Sequence, residues 1–134
     1  MVDNQQVVVE SNYYDGDVFN QIDQYDSDVT LWMDPISMMS MAKTIAETLS
    51  ELYPEYKKDF MSRYDELEIE LATLDKEFQN IKLSQKEVSF VSVTPSFGNW
   101  QKSYGFKVYP LILSKYGALP SDNQLEIIID RINR

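Results

Sequence analysis

The 134-residue sequence contains no cysteine and no histidine. Without cysteine there are no disulfides, no thiol nucleophile and no thiolate metal ligands. Without histidine the commonest general base and the commonest transition-metal ligand are both missing, which excludes Ser-His-Asp and Cys-His catalysis. Carboxylate chemistry would need two acids at a suitable spacing, no such pair stands out, and no enzymatic activity is expected. Long apolar runs are absent as well, with nothing approaching the roughly 20 residues of a membrane span. The opening residues 1–6 have neither the basic region nor the apolar core of a signal peptide. Positive charge is missing from the first third: residues 1–42 hold eight acids and no Lys or Arg, against a net charge of −10 for the whole chain. That balance argues against nucleic acid as a partner, because such binding needs cationic surface to displace phosphate counterions.

What is present reads as one soluble domain, 43% hydrophobic and 25% charged, with no internal repeat or low-complexity linker. Three segments are expected: 1–34 as an end strand and acidic loop, 35–83 as a helical hairpin, and 84–134 as a βαβ portion. Val7-Val8-Val9 predicts a short strand. The acidic, tyrosine-rich stretch after it predicts a loop with at most a helical turn around Val18–Ile22. Asp34-Pro35 marks a helix start, since Asp accepts from free N–H groups and Pro at the first helical position forfeits no bond. Met38, Met41, Ala42, Ile45, Leu49 and Leu52 form a helical stripe up to the break at Tyr53-Pro54. A second helix is expected from about Glu55 to Lys82, with a near-heptad seam running from Tyr56 through Tyr64 and Leu71 to Ile81. At about 1.5 Å per residue it would be about 40 Å long, longer than a domain of this size is wide. Such a helix serves to join two lobes or to form part of a coiled coil.

After residue 87 the pattern alternates. Val88–Val93 predicts a strand, Ser96–Tyr104 a short helix stopped by Gly105, Phe106–Leu113 a second strand, and Ser121-Asp122-Asn123-Gln124 a capping box opening a last helix. Strand–helix–strand–helix in this order implies a parallel βαβ unit. The fold class is therefore α/β: a long helical hairpin followed by a parallel βαβ half-lobe.

Two stretches carry a more specific signal. Thr30-Leu31-Trp32-Met33-Asp34-Pro35 and Val93-Thr94-Pro95-Ser96-Phe97-Gly98 resemble the two histidine motifs of the zinc/manganese solute-binding proteins of bacterial metal-ion ABC transporters. The first family motif reads roughly Asp-Pro-His-x-Trp-Leu-Asp-Pro, and the second is a strand ending in His before a turn into a helix. Tyr104-Gly105-Phe106 is similar to the family's Tyr-Gly-Leu ahead of the next strand, and Pro120-Ser121 with Leu125 to its Pro-Ser-x-x-x-Leu helix opening. The resemblance covers most of this chain and about half of a full family member. It implies part of a two-lobed solute-binding protein fold, with lobes that close over a cation.

By this resemblance the ligand positions fall at Thr30 and Thr94, with a third near Gly117. No confident metal ligand is present, because threonine is a poor ligand for zinc. Zinc or manganese is implied as the solute class, an ABC transporter permease as partner, and an extracytoplasmic place, periplasmic or as a cell-surface lipoprotein. Trp32, Asp34, Phe97 and Trp100 become candidates for lining the cleft. The resemblance implies a truncated or degenerate form with a weak or lost metal site. The alternative is a metal-independent protein-interaction or adhesion module on the same scaffold.

Blander readings stand beside these. The two threonines could be ordinary turn residues. The aromatic candidates could be packing where helices meet strands. Asp15, Asp17, Asp23, Asp26 and Asp28 lack EF-hand spacing and read as a solvated loop rather than a calcium site. Met38, Met39 and Met41 read as packing rather than soft-metal ligands. Homo-oligomers through the long helix or an exposed lobe surface are also expected.

Overall fold

The computed structural model of the chain describes residues 13–14, 16–24, 30–84 and 87–134. The expected strand at Val7-Val8-Val9 and the acids Asp15, Asp26 and Asp28 lie outside these residues. The described residues fall into two compact units: 31–84 form the first and the remainder form the second.

The first unit is a helical hairpin. A 3-10 turn over Leu31–Met33 leads into helix α1, Pro35–Leu52, a second 3-10 turn covers Pro54–Tyr56, and helix α2 spans Lys57–Leu83. The start of α1 is the one its residue types dictate: Asp34 accepts from the Ser37 backbone N–H and Pro35 occupies the first turn. The long helix begins two residues later than its pattern suggested, because Pro54 first closes a tight turn in which the Tyr56 N–H bonds Tyr53 O. At 27 residues α2 is about 40 Å long.

The face of α1 that is buried differs from the predicted stripe. Ala46 and Ser50 are buried, whereas Ile45 and Leu52 are 57% and 66% exposed. Small side chains permit close approach, and Ala46 and Tyr64 border the same groove between the helices. Ser50 turns its hydroxyl back onto the Ala46 carbonyl, so it can be buried without leaving a polar atom unpaired. On α2 only Tyr64 of the predicted seam is buried, and its part-buried hydroxyl donates to the Glu68 carboxylate at 2.6 Å.

The second unit holds the parallel pair. Strand β1, Ser89–Ser92, runs beside strand β2, Lys107–Pro110, with Ser89 opposite Lys107 and Ser92 opposite Pro110. Helix α3, Gly98–Tyr104, makes the crossover, and helix α4, Asp122–Ile132, follows. Both strands are shorter than predicted. Lys107 and Leu111 donate to Val88 and Ser92, so Pro110, of the opposite parity, has its missing N–H on the side away from β1. Proline is tolerated in a sheet at such positions. Gly105 ends α3 at φ 72°, a left-handed conformation that a Cβ would strain. Ser121 and Gln124 form the full capping box of α4.

The core of this unit gathers Tyr14, Phe19, Leu113 and Ile128, with Tyr109, Leu111 and Ile132 packed around them. The Tyr14 hydroxyl, buried here, donates to Pro110 O at 2.7 Å. Burial, followed by the nearby Tyr109 and Tyr13, raises the pKa of Tyr14 far above the usual phenol range. The predicted helical turn near Val18 is a 3-10 turn over Asp17–Phe19.

Candidate metal-binding site

The strand β1 ends at Ser92, and Val93-Thr94-Pro95 bend away before α3 begins. Two local bonds hold the bend: the Ser92 hydroxyl donates to Thr94 O at 2.8 Å, and the Ser96 N–H donates to the same carbonyl at 2.8 Å. This geometry carries the Thr94 side chain toward Ser96, and their hydroxyl oxygens lie 2.7 Å apart. Thr30, 66 residues earlier in the chain, donates its hydroxyl to Ser96 O, also at 2.7 Å. The two threonines therefore meet at one residue. Ser96 is the residue that sequence reasoning missed. Its place two residues after Thr94 suits a side-chain turn, but nothing local signals the contact with Thr30.

The cleft candidates divide between the units. Trp32 lies in the turn before α1 and is 59% exposed. Asp34 is buried, and one of its carboxylate oxygens accepts from both the N–H and the hydroxyl of Ser37, each at 2.8 Å. The carboxylate is thus engaged in capping α1. In the second unit Phe97 and Trp100 pack with their rings tilted by 60° at 4.9 Å between centroids, Phe90 meets Phe97 edge-on at 5.3 Å, and Phe106 meets Trp100 edge-on at 6.2 Å. These separations suit favourable aromatic pairs, and the cluster braces α3 against the sheet.

As a cation site the arrangement is poor in charge. Thr30, Thr94 and Ser96 offer neutral hydroxyl and carbonyl oxygens that already bond one another. Among the described residues no three acids converge to hold a metal ion. Of the acidic loop, Asp23 pairs with Lys115 at 2.6 Å, and Asp17 accepts from the Asn20 side chain. A divalent ion that must give up its water shell gains little from such donors, since zinc prefers nitrogen, thiolate and carboxylate ligands.

The family model described as "Zinc-uptake complex component A periplasmic" (ZnuA) matches residues 2–134. The chain belongs to the ZnuA family. Its helical hairpin followed by a parallel βαβ half-lobe is part of that family's two-lobed solute-binding fold. The crystal structure of ZnuA superposes with a TM-score of 0.69 at 24% identity, covering 81% of this chain and 40% of that one. AdcAII of Streptococcus pneumoniae matches at 25% identity and a TM-score of 0.71, over 80% of this chain and 40% of that chain. A third is Lmb of Streptococcus agalactiae, a laminin-binding protein described as bifunctional, with adhesin and metal transporting activity. It matches at 25% identity and a TM-score of 0.71, over 79% of this chain and 41% of that one. The chain thus spans about 40% of the length of these ZnuA-like structures. Among curated proteins no sequence matches it.

Proposed function

We propose that this chain is a solute-binding section of a metal-ion ABC uptake system in which the cation site is weak or lost. The reading rests on one observation: the two residues at the resemblance's histidine positions are threonines tied to each other through Ser96. Zinc finds neither nitrogen nor carboxylate in this trio, and manganese, which accepts oxygen, finds no anionic one. The chain does no covalent chemistry on this reading. Its place is outside the cytoplasmic membrane, its partner an ABC transporter permease, and zinc or manganese the solute class of its relatives. Trp32, Asp34, Phe97 and Trp100 would border the cleft.

The test is thermal unfolding after chelation, then with zinc, manganese and calcium in turn. A ligand that binds only the folded state raises its stability, so a weak or lost site gives a shift below about 1 °C at micromolar cation. A rise of several degrees with any one cation overturns the reading. A Thr30→His/Thr94→His variant should bind zinc at least tenfold more tightly than the parent, because imidazole supplies the preferred donor.

A second reading is favoured by the likeness to Lmb, which is described as an adhesin as well as a metal transporter. On it the scaffold binds a protein partner without metal. The helical hairpin offers an apolar groove of about 320 Å³ bordered by Met38, Ala42, Leu49, Phe60 and Leu67. Concentration-dependent association that chelator leaves unchanged would favour this module over uptake.

A further inference from the structure

Positive charge is scarce in this chain, yet three of its twelve basic residues border one cavity. The cavity, about 460 Å³, lies in the second unit between β2 and the end of α4, and Lys107, Arg131 and Arg134 reach it. That volume falls within the range of small-molecule sites. No acid borders it. Two of its cations have carboxylate neighbours: Glu87 pairs with Lys107, and Asp130 pairs with Arg134 at 2.6 Å. Arg131 makes no ion pair among the described residues. It is close enough to Lys107 to oppose, by like-charge repulsion, the upward pull that the Glu87 hydrogen bond and charge exert on the Lys107 pKa. Two like charges are therefore held in reach of each other over a buried apolar floor of Phe106 and Val108.

The neutral groups at the rim complement the cations. Gln101 and Tyr109, which carry a neutral amide and a phenol, also line the cavity. A guanidinium presents a planar fork of N–H donors that matches a carboxylate or phosphate, and an ammonium adds a point charge beside it. An amide and a phenol can donate to the remaining oxygens. We propose that this cavity is a binding site for a small organic anion bearing more than one carboxylate or phosphate group, held by Arg131 and Lys107 with Gln101 as a neutral donor. The site is separate from the threonine trio and holds whether or not that trio binds a cation.

The experiment is an isothermal and NMR titration of the full chain with citrate, with glycerol 3-phosphate, and with glycerol as the neutral counterpart. The expected result is saturable binding of at least one anion below about 1 mM, with amide shifts at Gln101, Lys107 and Arg131 and none with glycerol. Tighter binding of citrate assigns the site to carboxylates, and tighter binding of the phosphate ester assigns it to phosphates. Arg131→Gln should weaken binding at least tenfold, whereas Arg63→Gln on the hairpin should leave it unchanged. Both positions are exposed, so neither variant is expected to unfold the chain. No binding of either anion up to about 10 mM, or binding that Arg131→Gln leaves intact, overturns the proposal.

Discussion

The hairpin and the βαβ unit use similar amounts of apolar sequence in different ways. In the βαβ unit the buried side chains include large ones: Tyr104, Phe106, Val108 and Leu113 are buried, and Ile128 is fully so, while Val93, Tyr116, Leu119 and Ile129 are more than half exposed. In the hairpin the side chains fully buried are small or polar, apart from Pro35 and Tyr64. Ile36, Ile45, Leu52, Ile69 and Leu83 are at least half exposed. Two helices in contact can bury only one stripe each, whereas a sheet flanked by helices has several layers to fill. Sequence hydrophobicity alone does not tell these cases apart. The number of surfaces available to cover a face does.

The comparison is most severely tested by isoleucine truncations. Ile128→Ala removes a side chain with no solvent exposure and should cost about 3–5 kcal/mol in urea unfolding. Ile45→Ala, at 57% exposure, should cost less than about 1 kcal/mol. Equal losses would erase the distinction between the units.

Polar anchors give the next effects. Tyr14→Phe keeps the ring and leaves the Pro110 carbonyl without its donor, at an expected cost of about 1–3 kcal/mol. Asp34→Ala removes the cap of α1 and should cost about 1 kcal/mol, read as lost helicity on heating. The smallest effect is expected at Thr30→Val, which removes one half-buried hydroxyl bond to Ser96 and should cost about 0.5–1 kcal/mol.

Alkaline titration sharpens the contrast without mutation. The hydrogen bond to Glu68, then partial burial, pushes the Tyr64 pKa up to about 12. Burial holds Tyr14 higher still. In both, the folded state keeps a proton that the unfolded chain releases near pH 10. Their contribution is therefore complete below pH 10 and falls away as pH climbs through 10 toward 12 and beyond. Phenolate absorbance should show a step near pH 12 that Tyr64→Phe deletes.

Much of the fold was legible because its boundaries are chemical. Asp34-Pro35, Tyr53-Pro54, Gly105 and the Ser121–Gln124 box each act within a few residues, and the structure starts or stops helices there. The buried face of α1 was less legible, since apolar periodicity favoured Ile45 while close helix packing selected Ala46 and Ser50. At the candidate site the two threonines could be read from their motif frame, but their meeting at Ser96 could not. That contact closes a loop of 66 residues, and no local pattern encodes such closure.

The length of α2 has a mechanical consequence. A helix of 27 residues is a stiff rod about 40 Å long, so a tilt of about 5° at Lys57 carries Leu83 by about 3.5 Å. A small angular change at one end becomes a displacement on the scale of a hydrogen bond at the other.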